Sequence, residues 1–163
     1  MTEVDVIIEI PVNSNLKLEL DKKINRMRLD RVLTTSMNYP GNYGFVPNTL
    51  ADDGDALDAL IPVDYPLPIN CIVKCRIVGV LLMKDESGVD AKLIVYPTDK
   101  IDRRFSHITK INDVSKFTLE KIAHFFNNYK ALSPGKFTKL NGFRGVEEAN
   151  QILEESLRMY QNS

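Results

Sequence analysis

The six residues Asp53-Gly54-Asp55-Ala56-Leu57-Asp58 put three carboxylates into a short stretch of chain. In an extended segment, residues two apart point the same way, so Asp53 and Asp55 aim at one volume. Gly54 allows a tight bend, which lets Asp58 join them. Two unit charges about 4 Å apart repel by ~4 kcal/mol at an effective dielectric of about 20. Crowded carboxylates must therefore protonate or find a cation. No Lys or Arg occurs anywhere in residues 32–73, whereas Asp52, Asp53, Asp55, Asp58 and Asp64 all do. An all-oxygen donor set suits a hard divalent ion such as Mg²⁺, Mn²⁺ or Ca²⁺ rather than zinc. The alternative is a solvated Asp-Gly turn, since both residues favour turns. An EF-hand loop is a poor fit, because its sixth position is Asp58 instead of Gly and its twelfth is Asp64 instead of Glu.

A second cluster, Asp85-Glu86-Ser87-Gly88-Val89-Asp90-Ala91-Lys92, sets Asp90 and Lys92 on one face of a strand, with Asp85 across a turn. Acid beside base on one face suits a place where cation and anion meet. A cross-strand ion pair at a hairpin end is the plainer explanation. Tyr39 and Tyr43 flank Pro40-Gly41-Asn42 and could donate hydroxyls to an anion or pack as turn aromatics. Lys17 and Glu19 share the polar face of their strand, and Tyr129-Lys130 closes a helix where a cation is favoured anyway. His124, beside Phe125 and Phe126, reads as a packed or interface histidine.

Other chemistries are excluded by absence of their motifs. No two glycines stand two apart, so there is no G-x-G-x-x-G, and no Walker lysine loop or G-x-S-x-G occurs. What remains is metal-assisted chemistry on a highly charged anion.

These residues need elements to carry them. Residues 4–10 alternate loosely up to Pro11, and Leu16-Lys17-Leu18-Glu19-Leu20-Asp21 alternates strictly, the period of a half-buried strand. Residues 27–33 form a third strand, with Arg31 on the face of Met27 and Leu29. Residues 32–63, dense in Gly, Pro and Asn, give loops and short strands. Residues 71–83 and 89–97 pair as a hairpin across Lys84-Asp85-Glu86-Ser87-Gly88. Leu119, Ile122, Ala123, Phe126 and Tyr129 recur at helical spacing, with Thr118 as the expected N-cap. Val146, Ala149, Leu153, Leu157 and Tyr160 mark a terminal helix. Strands followed by helices predict an α+β domain, a small barrel with helices packed outside.

The 163 residues, 44% apolar and 26% charged, suit one soluble domain spanning 1–163. A membrane span needs about 20 apolar residues, and the best run, residues 77–83, has seven. The start lacks a basic leader and an apolar signal core, which leads to an expectation of cytoplasmic localisation. Cys71 and Cys75, four apart on a strand, would lie about 13 Å apart, too far for a disulfide. With 21 basic and 22 acidic residues, no global basic footprint for nucleic acid exists. An oligonucleotide-binding module would also need a basic groove with stacking aromatics, whereas the loops are acidic and Trp is absent.

Ile8-Glu9-Ile10-Pro11, Lys17-x-Glu19, Asp30-Arg31, Tyr39-Pro40-x-Asn42-Tyr43-Gly44, Asp53-Gly54-Asp55-x-x-Asp58, Asp85-x-x-x-x-Asp90-Ala91-Lys92 and His124-Phe125-Phe126-x-x-Tyr129-Lys130 follow one another in order. Together they resemble the family I soluble inorganic pyrophosphatases over nearly the whole chain. The resemblance implies a five-stranded OB-like β-barrel with two main helices packed outside. It also implies Mg²⁺-dependent hydrolysis of diphosphate to two orthophosphates, with Mn²⁺ as a substitute. By similarity Asp53, Asp58 and Asp90 hold the tightest metal, with Asp58 bridging to a second. Asp85 and Asp90 hold a metal arriving with substrate, and Glu9 reaches another through water. Asp55 is the implied general base. Lys17, Arg31, Tyr43, Lys92, Tyr129 and Lys130 grip the phosphates, supported by Glu19 and Tyr39. The bacterial family suggests a homo-oligomer, a hexamer. This chain departs from the pattern at Ala56, where Pro is frequent, and at Asn128, where bacterial relatives often carry a second interface histidine.

Overall fold

A computed structural model describes residues 2–163. Eight strands and two helices follow in the order β1 Glu3–Ile10, β2 Leu16–Asp21, β3 Arg26–Val32, β4 Asn42–Phe45, β5 Asp58–Ile61, β6 Ile72–Asp85, β7 Gly88–Pro97, α1 Lys116–Asn128, β8 Thr138–Arg144 and α2 Val146–Gln161. The strands β1, β4, β5, β7 and β6 pair in that order, and β6 returns to β1, closing a ring of five. The α+β expectation holds, with both helices as expected. Two features lie outside the ring: β8 adds to β6, and β2 and β3 form a separate hairpin.

The ring closes because its strands bury apolar side chains, alternately along the first part of β1 and nearly continuously along β5, β6 and β7. Val4, Val6, Ile8 and Ile10 of β1 all face the core, as do Val73, Cys75 and Ile77 of β6. Ile122, Phe125 and Phe126 of α1 and Ala149 and Leu153 of α2 extend that core outward. Among the described residues no helix is long and apolar enough to cross a membrane.

Three local expectations are corrected. Ser115, not Thr118, caps α1: its hydroxyl accepts the Thr118 N–H at 3.1 Å, and Thr118 already lies inside the helix. The first turn gave no periodic signal because Phe117 is exposed. Strands β6 and β7 run closer together than expected, leaving only Glu86 and Ser87 in the turn, where Asp85 Oδ1 accepts the Ser87 N–H at 2.8 Å. The third correction concerns Arg31. Lys17 pairs with Arg31 but Leu18 pairs with Leu29, so Asp30 is an extra residue in β3. This bulge reverses the phase of the strand and moves Arg31 to the face of Lys17 and Glu19, away from Met27 and Leu29.

Gly44 has a steric origin. A Cβ there would lie 1.9 Å from the Ile7 carbonyl oxygen, so β1 and β4 can approach only because position 44 is bare. That glycine, in the middle of a four-residue strand, is what makes the segment look like a turn in the sequence.

Both cysteines are free. Burial pushes the Cys75 thiol up to about 12, whereas Cys71 is partly exposed. Because the thiolate is the nucleophile, brief iodoacetamide treatment at pH 8 should label Cys71 alone. Mass spectrometry should show a second adduct only after unfolding in denaturant, and two adducts on the native protein would contradict the burial of Cys75.

Candidate active site

The ring and the β2–β3 hairpin meet around one cavity of about 300 Å³. The register of the strands builds its centre. Parallel pairing of β5 with β7 sets Asp58 directly beside Lys92, and Asp90 lies two residues earlier on the same face. The Lys92 ammonium donates to Asp58 Oδ2 at 2.9 Å and to Asp90 Oδ2 at 2.8 Å. Tyr43 and Phe126 close around it, with ring centroids 5.2 and 5.7 Å away. Burial works against the Lys92 charge, but Asp58, Tyr43 and Asp90 outweigh it and hold the ammonium well above its ordinary range. Asp90 is raised, chiefly by burial, with Asp58 and Asp85 adding to it against the pull of Lys92.

A second bulge delivers Glu9. Ile8 pairs with Gly44 and Ile10 with Tyr43, leaving Glu9 without a partner on β4. The bulge aims its side chain into the cavity, where Oε2 accepts the Leu20 N–H at 2.8 Å. Burial raises the Glu9 carboxyl to about 7, with Asp58 and Glu19 adding to the rise and the Leu20 N–H opposing it.

The acidic loop forms one wall. Gly54 sits at φ +87°, and Asp53 Oδ1 accepts the Asp55 N–H at 3.0 Å, so the loop turns on glycine and an aspartate side chain. Partial burial raises the Asp53 carboxyl, with Asp90 and Asp55 contributing by charge. Asp55 is exposed. Neither Asp53 nor Asp55 makes an ion pair among the described residues.

Cations line the opposite walls. Lys17 Nζ donates to Asp30 Oδ2 at 2.8 Å and Arg31 Nε reaches the same oxygen at 3.3 Å, so one carboxylate spaces the two cations. The Lys17 ammonium holds the Asp30 carboxyl below its ordinary value. Lys130 Nζ donates to Asp85 Oδ2 at 3.1 Å and Glu86 Oε2 at 3.0 Å. Behind these lies an aromatic floor. Tyr39 meets Tyr43 at 5.4 Å and Phe125 at 4.6 Å, and Tyr129 stacks on Phe125 at 5.0 Å. Burial keeps the Tyr39 and Tyr43 phenols well above their ordinary range, so both remain protonated donors.

Every residue that the sequence singled out for chemistry or support lines this cavity, including Glu19 on β2 and Asp85 at the end of β6. Tyr39 and Tyr43 are both packed aromatics and cavity walls. His124 lies outside, exposed on α1. Sequence reasoning gave no role to Lys22, Glu86 or Lys136, which also line the cavity. Glu86 had one visible signal, adjacency to Asp85. Lys136 had none, since it arrives on the connection between α1 and β8.

Eight carboxylates and six basic groups surround the cavity. The donors available to an ion are all hard oxygens, and the surplus is acidic. Among the described residues no three His, Cys, Asp or Glu side chains are gathered closely enough to hold a metal ion, so Asp53, Asp58 and Asp90 line one cavity without forming a preassembled ligand set. Hard oxygen donors of this kind suit a divalent cation rather than a soft metal.

Comparison with known proteins agrees with this geometry. A family model described as inorganic pyrophosphatase matches residues 6–161. The inorganic pyrophosphatase of Helicobacter pylori strain ATCC 700392 / 26695 is 52% identical over 156 residues, covering 96% of this chain and 90% of that protein. A solved structure of the enzyme from Helicobacter pylori superposes with a TM-score of 0.96 at 51% identity, covering 98% of this chain and 94% of the other. The Thermus thermophilus inorganic pyrophosphatase structure gives a TM-score of 0.93 at 42% identity, covering 98% and 91%. The five-strand ring is thus the OB-like fold of these structures.

Proposed function

The chain belongs to the inorganic pyrophosphatase family, a hydrolase acting on diphosphate, and from that premise we propose a Mg²⁺-dependent reaction in which Asp55 is the general base. The observation that carries this reading is the convergence of all the singled-out acids, cations and phenols on one cavity.

Diphosphate is dense in negative charge, and the cavity has more carboxylates than cations. Divalent ions, when bound, reverse the local sign, acidify water and polarise phosphoryl oxygens. In this reading Asp53, Asp58 and Asp90 would hold the tightest ion, and Asp58 would also help hold a second. Asp85 and Asp90 would hold a further ion accompanying substrate, and Glu9 would reach another through water. Mn²⁺ substitutes for Mg²⁺ on the same hard oxygens.

The chain's own residues do the rest. Arg31 offers a planar fork that bonds a phosphate at two oxygens, and Lys17 stands beside it. Lys92, Lys130 and the hydroxyls of Tyr43 and Tyr129 donate to the remaining oxygens. Glu19 and Tyr39 support these grips. Asp55, exposed at the mouth and free of any ion pair among the described residues, takes the proton of the attacking water. The same reading gives one domain over residues 1–163, a cytoplasmic protein and a homo-oligomer, hexameric by resemblance, with exposed Phe117 and His124 on α1 as the face available for it.

Purified protein incubated with Mg²⁺ and diphosphate should release orthophosphate, and a chelator should stop the release. ATP and tripolyphosphate should turn over far more slowly under Mg²⁺. Release that survives chelation would overturn the metal dependence, and preferential turnover of ATP or tripolyphosphate would overturn the substrate assignment.

A further inference from the structure

We propose that Glu86 is a positioning residue for Lys130, holding the phosphate-gripping ammonium and the 131–137 connection against the β6–β7 turn. The inference rests on the phosphate-gripping role of Lys130 stated above.

Glu86 stands at the tip of the hairpin and joins two segments more than forty residues apart in sequence. Its Oε2 accepts from Lys130 Nζ at 3.0 Å and lies 3.8 Å from Lys136 Nζ. Its Oε1 accepts the Phe137 N–H at 3.3 Å, just before β8 begins. One carboxylate thus fixes both ends of the 131–137 connection. A second anchor, Thr34 Oγ1 to Ser133 Oγ at 2.9 Å, holds the middle of that connection to the segment that follows β3.

The geometry separates Glu86 from Asp85. Both accept from Lys130, at 3.0 and 3.1 Å. Asp85, in the reading above, is committed to an ion when substrate enters. Glu86 is then the one carboxylate partner left to Lys130 among the described residues. Its charge keeps the ammonium on the cavity wall, where a hydrogen bond to a charged group is stronger than a neutral one.

Glu86→Gln keeps a carbonyl for the Phe137 N–H but turns an amide NH2 toward Lys130, so both the charge and the acceptor for the ammonium are removed. It should raise KM for diphosphate about tenfold, with kcat changed less than about threefold, the effect of one charge-assisted hydrogen bond. Lys130→Met should raise KM on its own. Glu86→Gln added to Lys130→Met should change KM less than about twofold, because the group it positions is gone. Glu86→Asp, with the charge on a shorter stem, serves if the Gln variant does not fold, and its effect should vanish in the same background. An unchanged KM in Glu86→Gln, a lower KM, or an equal rise in both backgrounds would overturn the proposal. A Lys130→Met enzyme with unaltered KM would instead overturn the grip assigned to Lys130, and the inference with it.

Discussion

Replacement of Asp55 by Asn should lower kcat for diphosphate by about 10²- to 10⁴-fold, the range attributed to a positioned general base. The fall should leave divalent binding nearly intact. Asp55 is exposed, makes no ion pair among the described residues, and lies beside Asp53 on a loop fixed by its own backbone hydrogen bonds. Asn is nearly isosteric and keeps the Asp55 carbonyl that accepts the Ala51 N–H at 2.7 Å. The loop therefore survives, and only the proton acceptor is lost. Asp58→Asn is the contrast. It removes a charge from the centre of the cavity, and it should weaken Mn²⁺ binding measured by calorimetric titration. Equal loss of Mn²⁺ binding in the two variants would make Asp55 a ligand rather than a base.

The second large effect concerns stability. Lys92 is almost wholly buried and bridges Asp58 and Asp90. Lys92→Met fills a similar volume but leaves two carboxylates facing each other without their cation. Removing one partner of a buried pair costs about 3–5 kcal/mol. For a chain of this size that corresponds to a fall in Tm of roughly 6–20 °C. The loss should be largest in chelator and smaller in Mg²⁺ or Mn²⁺, because an ion can replace the missing positive charge. Turnover should fall as well, since the phosphate donor proposed at this position is gone. Thermal unfolding of wild type and variant, each with and without divalent ion, measures both terms. A variant with wild-type Tm in chelator would show that Lys92 is not the counter-ion of this pair.

The sequence made the site residues visible because aspartates without nearby cations are costly and so stand out. It also made β2 visible, since Leu16 to Asp21 alternates without a break and the strand has those limits. The two helices were legible from the spacing of Ile122 and Phe126 and of Ala149 and Leu153, which pack inward as the period requires. The bulges were not legible. An extra residue at Glu9 or Asp30 leaves no mark on composition, yet each changes where a charged side chain points. Strand β8 escaped for a related reason: its register slips around Asn141, which breaks the alternation that would have revealed it. Strand β4 was hidden by Gly44, whose bareness is demanded by Ile7, a neighbour 37 residues away.

The closed ring also decides when, in the life of the polypeptide, this centre comes into being. Asp58 arrives on β5 and its counter-ion on β7, while the circle is completed only when β6 meets β1. Such distant pairings form late, after local hairpins and helices. A nascent chain that has left the ribosome only as far as Ile61 carries the acidic loop but neither Lys92 nor Lys130. That fragment already holds Lys17 and Arg31, but its Asp58 stays without a counter-ion until β7 pairs with β5.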